Sequence, residues 1–137
     1  MARIIGENVV NQVEIYDAIG GGTVVFFYRT PSTSDRAGYQ ADSIEFKAGR
    51  KPKARLRLAE TRQKYGLQII TGIREGDVLY RDENGETRPL TSETPGWKEQ
   101  LSRFAPELVE AMAAHVFEAA AALPPEEGDD EDESGND

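Results

Sequence analysis

Cysteine is absent from this chain, and histidine occurs once, as His115. The first absence excludes disulfides and thiolate metal centres. The second leaves no histidine pair for a metal and one imidazole for all acid–base work. Long apolar runs are missing too: none approaches the roughly 20 residues a bilayer-spanning helix needs. The N-terminal stretch MARIIGENVV has one Arg and no apolar core of the length a secretory signal requires. These absences lead to the expectation of a soluble, cytoplasmic protein with no metal or other cofactor. The 137 residues suffice for one modest domain with its own core.

Charge is abundant but uneven. Of 25 acids, eight lie between Pro124 and Asp137, where there is no base; Met1 to Leu123 keep 17 acids against 16 bases. A nearly neutral body, expected as one α+β domain over residues 1–123, therefore carries an acidic tail over 124–137. The tail has too little apolar surface to offset chain entropy and is expected to be disordered. Within the body, Lys47, Arg50, Lys51, Lys53, Arg55, Arg57, Arg62 and Lys64 face only Glu60 as a counter-charge, a local excess of seven positive charges.

The segments VVNQVEIYDAI and TVVFFYR are rich in strand formers, and the glycines between them suit a hairpin loop, which predicts two antiparallel strands near 10–18 and 23–29. Pro31 stops the second strand, and Ser32, Thr33 or Ser34 can cap a short helix through about residue 43, weakened by Gly38. In KPKARLRLAETRQKYGLQIITGI two apolar stripes occur at helical spacing. Leu56, Ala59, Gln63, Leu67 and Ile70 form one, and Leu58, Tyr65 and Ile69 the other, which predicts a central helix buried on two faces. The alternative is a helix ending at Tyr65, with Gly66 as its left-handed cap and LQIITGI as a strand. DVLYR and ETRPL around DENG predict a small second hairpin. A helical pair completes the chain. The first helix has Thr94 near its cap, Pro95 in its first turn, and Trp97, Leu101 and Phe104 on one side. The second opens at Pro106 and carries Leu108, Val109, Met112, Ala113, Val116 and Phe117.

Catalytic motifs fare poorly. A phosphate-cradling loop needs Lys and Ser or Thr after its last glycine, at the mouth of a helix. Gly20–Gly22 lead instead into Thr23 and a β-branched, aromatic run, so the triplet reads as a hairpin loop. The hydroxyls of Ser32, Thr33 and Ser34 would need a base within reach, and His115 sits far along the chain beside an apolar face. No acid lies in an apolar setting that would raise its pKa, and DENGE lacks the alternating ligands of a calcium loop. On a helical projection Lys53, Arg57 and Lys64 gather on one flank and Arg55 and Arg62 on the opposite one. They look like solvated borders of a buried helix rather than one stripe for nucleic acid. Trp97, Phe104, Met112 and Phe117 can serve an internal core or a partner's groove.

FFYRTPSTSDRAGYQ, ARLRLAETRQKYGLQIITGI and WKEQLSRFAPELVEAMAAHVFE together give the chain, over roughly residues 22–120, a general likeness to small proteins of tailed phages and prophages. It resembles the tail assembly chaperone type. That resemblance implies a small, partly helical, non-enzymatic protein that coats a tape-measure protein, recruits tail-tube subunits and self-associates. The family has no motif tight enough to transfer a residue's role. The expectation is therefore protein–protein association through the bases Lys53, Arg55, Arg57, Arg62 and Lys64 and the apolar Trp97, Phe104, Met112 and Phe117. The rivals are a nucleic-acid-binding or regulatory protein using residues 47–64, and an enzyme of unrecognised type.

Overall fold

A computed structural model of the chain describes residues 2–45 and 55–119. Along the chain the elements are β1 (Val10–Asp17), β2 (Gly22–Arg29), α1 (Thr33–Ser43), β3 (Ile44–Glu45), β4 (Arg55–Leu56), α2 (Leu58–Ile69), β5 (Ile70–Ile73), β6 (Leu79–Arg81), β7 (Thr87–Pro89), α3 (Trp97–Phe104) and α4 (Pro106–Ala113). A π-helical turn over Ala114–Ala119 extends α4. The architecture is α+β.

The hairpin β1–β2 forms where the alternation of apolar residues predicts it. Val13 and Ile15 on β1 pair with Phe26 and Val24 on β2, and all four are buried. Gly21, at φ 78°, supplies the left-handed residue of the turn, and its N–H donates to the Asp17 carbonyl at 2.7 Å. β5 lies antiparallel along the other side of β2, with Ile73 opposite Phe26, so the sheet order is β1-β2-β5. β1 is thus an edge strand. Glu14 at its middle is the kind of charge that discourages pairing with a second sheet.

Pro31 ends β2 and is itself buried. Ser32 then caps α1 through a full capping box: its hydroxyl accepts from the Asp35 N–H, and the Asp35 carboxylate accepts from the Ser32 N–H. The Gly38 that weakens this helix in isolation has a tertiary reason. A Cβ there would overlap the Tyr65 hydroxyl.

The central helix departs from its expectation in two ways, in its start and in its burial. It is shorter, because Arg55–Leu56 pair as a two-residue ribbon with Ile44–Glu45 before the helix begins. It does run through Gly66, as the two stripes predict and the alternative ending at Tyr65 does not. It is buried on one side only, at Thr61, Tyr65, Gly66 and Ile69, while Ala59 is exposed and Gln63 and Leu67 are half-buried. Close packing explains the glycine: a Cβ on Gly66 would come within 3.1 Å of Val109 Cγ1 and 3.2 Å of Ala113 Cβ on α4. Gly66 therefore lets two helices approach rather than ending one. The strand alternative was right about the last four residues, since Ile70–Ile73 form β5.

The small hairpin β6–β7 is organised by Asp82. Its carboxylate accepts from the Asn84 and Glu86 N–H groups, both at 2.9 Å, and from Arg88 Nε at 2.7 Å. α3 begins two residues later than its sequence suggests. Gly96, in the left-handed region, is its N-cap, and Thr94 instead closes the preceding turn, where its carbonyl accepts from the Trp97 N–H. α4 opens at Pro106 as expected, and Leu108, Val109, Met112, Ala113, Val116 and Phe117 are all buried. These side chains meet Phe26, Ile69, Ile70 and Leu101 in one core between the sheet and the helices. The acidic tail lies outside the described residues. No helix among the described residues is long and apolar enough to cross a membrane.

Candidate interaction surfaces

The nine residues singled out by sequence do not form one patch. Lys53 lies outside the described residues, and of Arg55 only the backbone, in β4, is described. The other three bases sit on or just before α2, and each holds a carboxylate. Arg57 reaches Glu60 at 2.8 Å; Arg62 makes a two-pronged contact with Glu118, both bonds at 2.8 Å; and Lys64 Nζ lies 3.2 Å from Asp42.

Arg57–Glu60 is local to the start of α2, whereas the pairs of Arg62 and Lys64 belong to a seam that ties α1, α2 and the end of α4 together. Tyr39 stacks on Phe117 with ring centroids 4.4 Å apart and an interplanar angle of 7°, and Tyr65 meets both rings edge-on. The Tyr39 hydroxyl donates to Glu118, and the Tyr65 hydroxyl donates to Asp42 at 2.8 Å. Thr61, the one buried polar side chain among the described residues, donates from Oγ1 to the Asp42 carbonyl at 2.9 Å. The electrostatics follow this geometry. Hydrogen bonds from Arg62 hold the Glu118 carboxyl below its ordinary range. Burial, then the bond to Glu118, pushes the Tyr39 phenol upward. Tyr65, then Lys64, holds Asp42 low. The arrangement fixes three elements in register. It presents no unspent charge at Arg62 or Lys64 for a partner.

The apolar candidates divide. Met112 and Phe117 are in the core and unavailable to any partner, because α4 turns its whole apolar face onto the sheet and α2. Trp97 is half-buried at the start of α3. Phe104, at the other end of α3, is 71% exposed.

Phe104 borders a recess of about 350 Å³ between the β6–β7 hairpin and α3, floored by Leu90 and Leu101 and walled by Val78, Leu79, Tyr80 and Ala105. Arg81 and Gln100 supply its polar rim. Leu79, on the wall opposite Phe104, is 55% exposed. The sequence reading placed Leu79 in a strand but gave it no surface role. One signal was available: a short strand in a small two-stranded hairpin cannot bury both of its faces. With two large apolar side chains at its lip and apolar walls, the recess suits an apolar side chain or helix face from another molecule.

Among the described residues no group of three or more His, Asp or Glu gathers at metal-binding distance. His115 is exposed and lies at a different cleft, lined also by Arg3 and Arg36. No family model matches the chain, and no curated protein or solved structure matches it.

Proposed function

We propose that this chain acts without turnover, as an assembly protein that associates with other proteins in building a tailed-phage or prophage tail. The recess between β6–β7 and α3 is where it holds its partner. The observation that supports this reading is the pairing of Phe104 and Leu79, both largely exposed, across an apolar recess with a polar rim. Water-exposed large apolar side chains that face each other over a hollow gain most from a partner that fills it. The partner chemistry that fits is an amphipathic helix presenting one or two apolar anchors, and the tape-measure-type protein is the partner that the resemblance implies.

The rival reading through phosphate contacts draws less on the geometry, because Arg57, Arg62 and Lys64 already hold carboxylates that a phosphate would have to displace.

Coexpression with the tape-measure-type protein of the same genome tests the proposal. The partner is expected in the soluble fraction with the native chain and in the pellet with Phe104→Asp. If it precipitates equally with and without the chain, the reading fails.

A further inference from the structure

The cleft that includes His115 has a charge imbalance found nowhere in the α2 seam. Its volume is about 500 Å³, and Arg3, Arg36 and His115 line it with no carboxylate among them. The acids nearest to Arg36 and His115 along the chain are already engaged: Asp35 is held by Arg29 at 2.8 Å, and Glu118 by Arg62 and Tyr39; Glu7, the acid nearest to Arg3, does not line the cleft. Arg3 and Arg36 have no ion-pair partner among the described residues, although five other arginines do. Arg36 is instead steadied from below, with its guanidinium carbon 6.0 Å from the centre of the Phe117 ring. A hydroxyl donor also faces the cleft. Thr30 Oγ1 accepts from Asn11 Nδ2 at 2.9 Å, which leaves its own proton to donate. Two guanidinium groups, an imidazole and a hydroxyl around one hollow make a receptor for carboxylates.

The chain supplies such a ligand at close range. Ala119, the last described residue, itself lines the cleft, and the eight acids that follow Pro124 begin only seven positions later, at Glu126. Seven residues span at most about 25 Å when extended, enough to double back over the hollow. A tether this short gives an effective concentration on the order of millimolar. We propose that this cleft is a carboxylate-binding site and that its ligand is the chain's own acidic segment, residues 126–137. This is independent of the recess at Phe104, which shares no lining residue with the cleft.

The bases at 47–55 are the competing destination, and they set the terms of the test. The absence of cysteine allows one label at one place. A nitroxide on Ser134→Cys of the full chain is read out by relaxation broadening of backbone amide signals at low salt. A second chain with the same label and all eight tail acids changed to Asn or Gln measures the broadening due to the tether alone. With native acids, the amides of Asn11, Gln12, Thr30 and Arg36 should lose most of their intensity, and with the neutralised tail they should keep it. About 1 M salt, which shortens the Debye length to about 3 Å, should restore the signals. The double change Arg3→Gln and Arg36→Gln should restore them at low salt; because it alters only side chains at the surface of the cleft, the other amide signals should stay in place. Broadening confined to residues 47–64, or equal broadening with native and neutralised tails, overturns the proposal. So does a result in which inorganic phosphate shifts the cleft amides of the neutralised chain while the native tail never broadens them. That outcome would make the cleft a site for a free anion.

Discussion

Phe117 and Phe104 lie on successive helical segments, each next to a base or acid, and in the sequence they have the same standing. In the fold they have opposite fates. Phe117 is enclosed by Tyr39, Tyr65 and the α4 core, with its rim guarded by the Arg62–Glu118 pair. Phe104 stands largely in water over a recess, with Arg103 against its ring at 5.1 Å. The difference comes from what each neighbouring element can bring. α1 and α2 converge on Phe117 because Gly38 and Gly66 let them close in. The β6–β7 hairpin, with strands of three residues, is too short to close over Phe104. Apolar spacing says that a side chain would gain from burial; whether it is buried depends on partners distant in sequence.

The sharpest way to break this contrast is to truncate the enclosed ring. Phe117→Ala should cost about 3–5 kcal/mol, the transfer term plus an unfilled cavity beneath Tyr39. Urea unfolding would show it as a lowered midpoint with an unchanged slope. A loss below about 1 kcal/mol would mean that the seam is not the packed structure described.

The polar rim of the same seam sets the next effect. Glu118→Gln keeps the shape but removes the charge that Arg62 and Tyr39 share, and should cost about 1–2 kcal/mol, less than for a wholly buried pair because both side chains are partly solvated. It should also reshape the dependence on pH. Folded Glu118 binds its proton only below its ordinary value of 4.5, so the unfolded chain takes up more protons as the solution is acidified. Its stabilising contribution is complete above that value and is lost as pH falls through the lower, folded one. Tyr39 has the opposite sign. Its pKa is raised from 10.0 in the folded chain, so its contribution is complete below that and is lost as pH climbs toward the folded value. Thermal melts of Glu118→Gln should therefore show a shallower acid limb. Asp35 and Asp42, also held low by their partners, keep that limb from vanishing. Tyr39→Phe should make the alkaline limb shallower, with Tyr65, also raised, keeping part of it, and should soften the acid limb only slightly, because Arg62 does more than Tyr39 to hold Glu118 low.

Local patterns carried the sequence reading a long way, and apart from the α3 cap, which is Gly96 rather than Thr94, it was tertiary ones that defeated it. The β1–β2 hairpin, the Ser32 cap, the Asp82 hairpin and the Pro106 helix start all depend on residues within a few positions of one another, and each was legible. Gly66 was not, because its reason lies at Val109 and Ala113, more than 40 positions away. The stripe expected through Ala59, Gln63 and Leu67 has the right period, yet Ala59 is exposed and Gln63 and Leu67 are only half-buried. The basic helix was recognised as a bordered, solvated one, yet its carboxylate partners Asp42 and Glu118, 22 and 56 positions from the bases they hold, could not be named from spacing. Of the candidate surface residues, Phe104 alone ended on an apolar recess, and Leu79 facing it was missed.

Phe104→Ala supplies the smallest expected change in stability and the most decisive contrast. The ring makes few enclosed contacts, so its loss should shift the unfolding free energy by less than about 0.5 kcal/mol, as for an ordinary surface site. Against that near-null result, the same substitution should weaken retention of a tape-measure-type partner clearly, because a large anchor at the lip of a recess contributes to binding what it does not contribute to folding. Leu79→Ala on the opposite wall should act in the same direction, and the double variant should lose less than the sum if the two side chains clasp one partner group between them. If Phe104→Ala instead destabilises the chain as much as Phe117→Ala does, the recess is part of the core and the two rings do not differ in kind. If it leaves both stability and partner retention untouched, the exposed ring is an ordinary surface residue and the partner binds elsewhere.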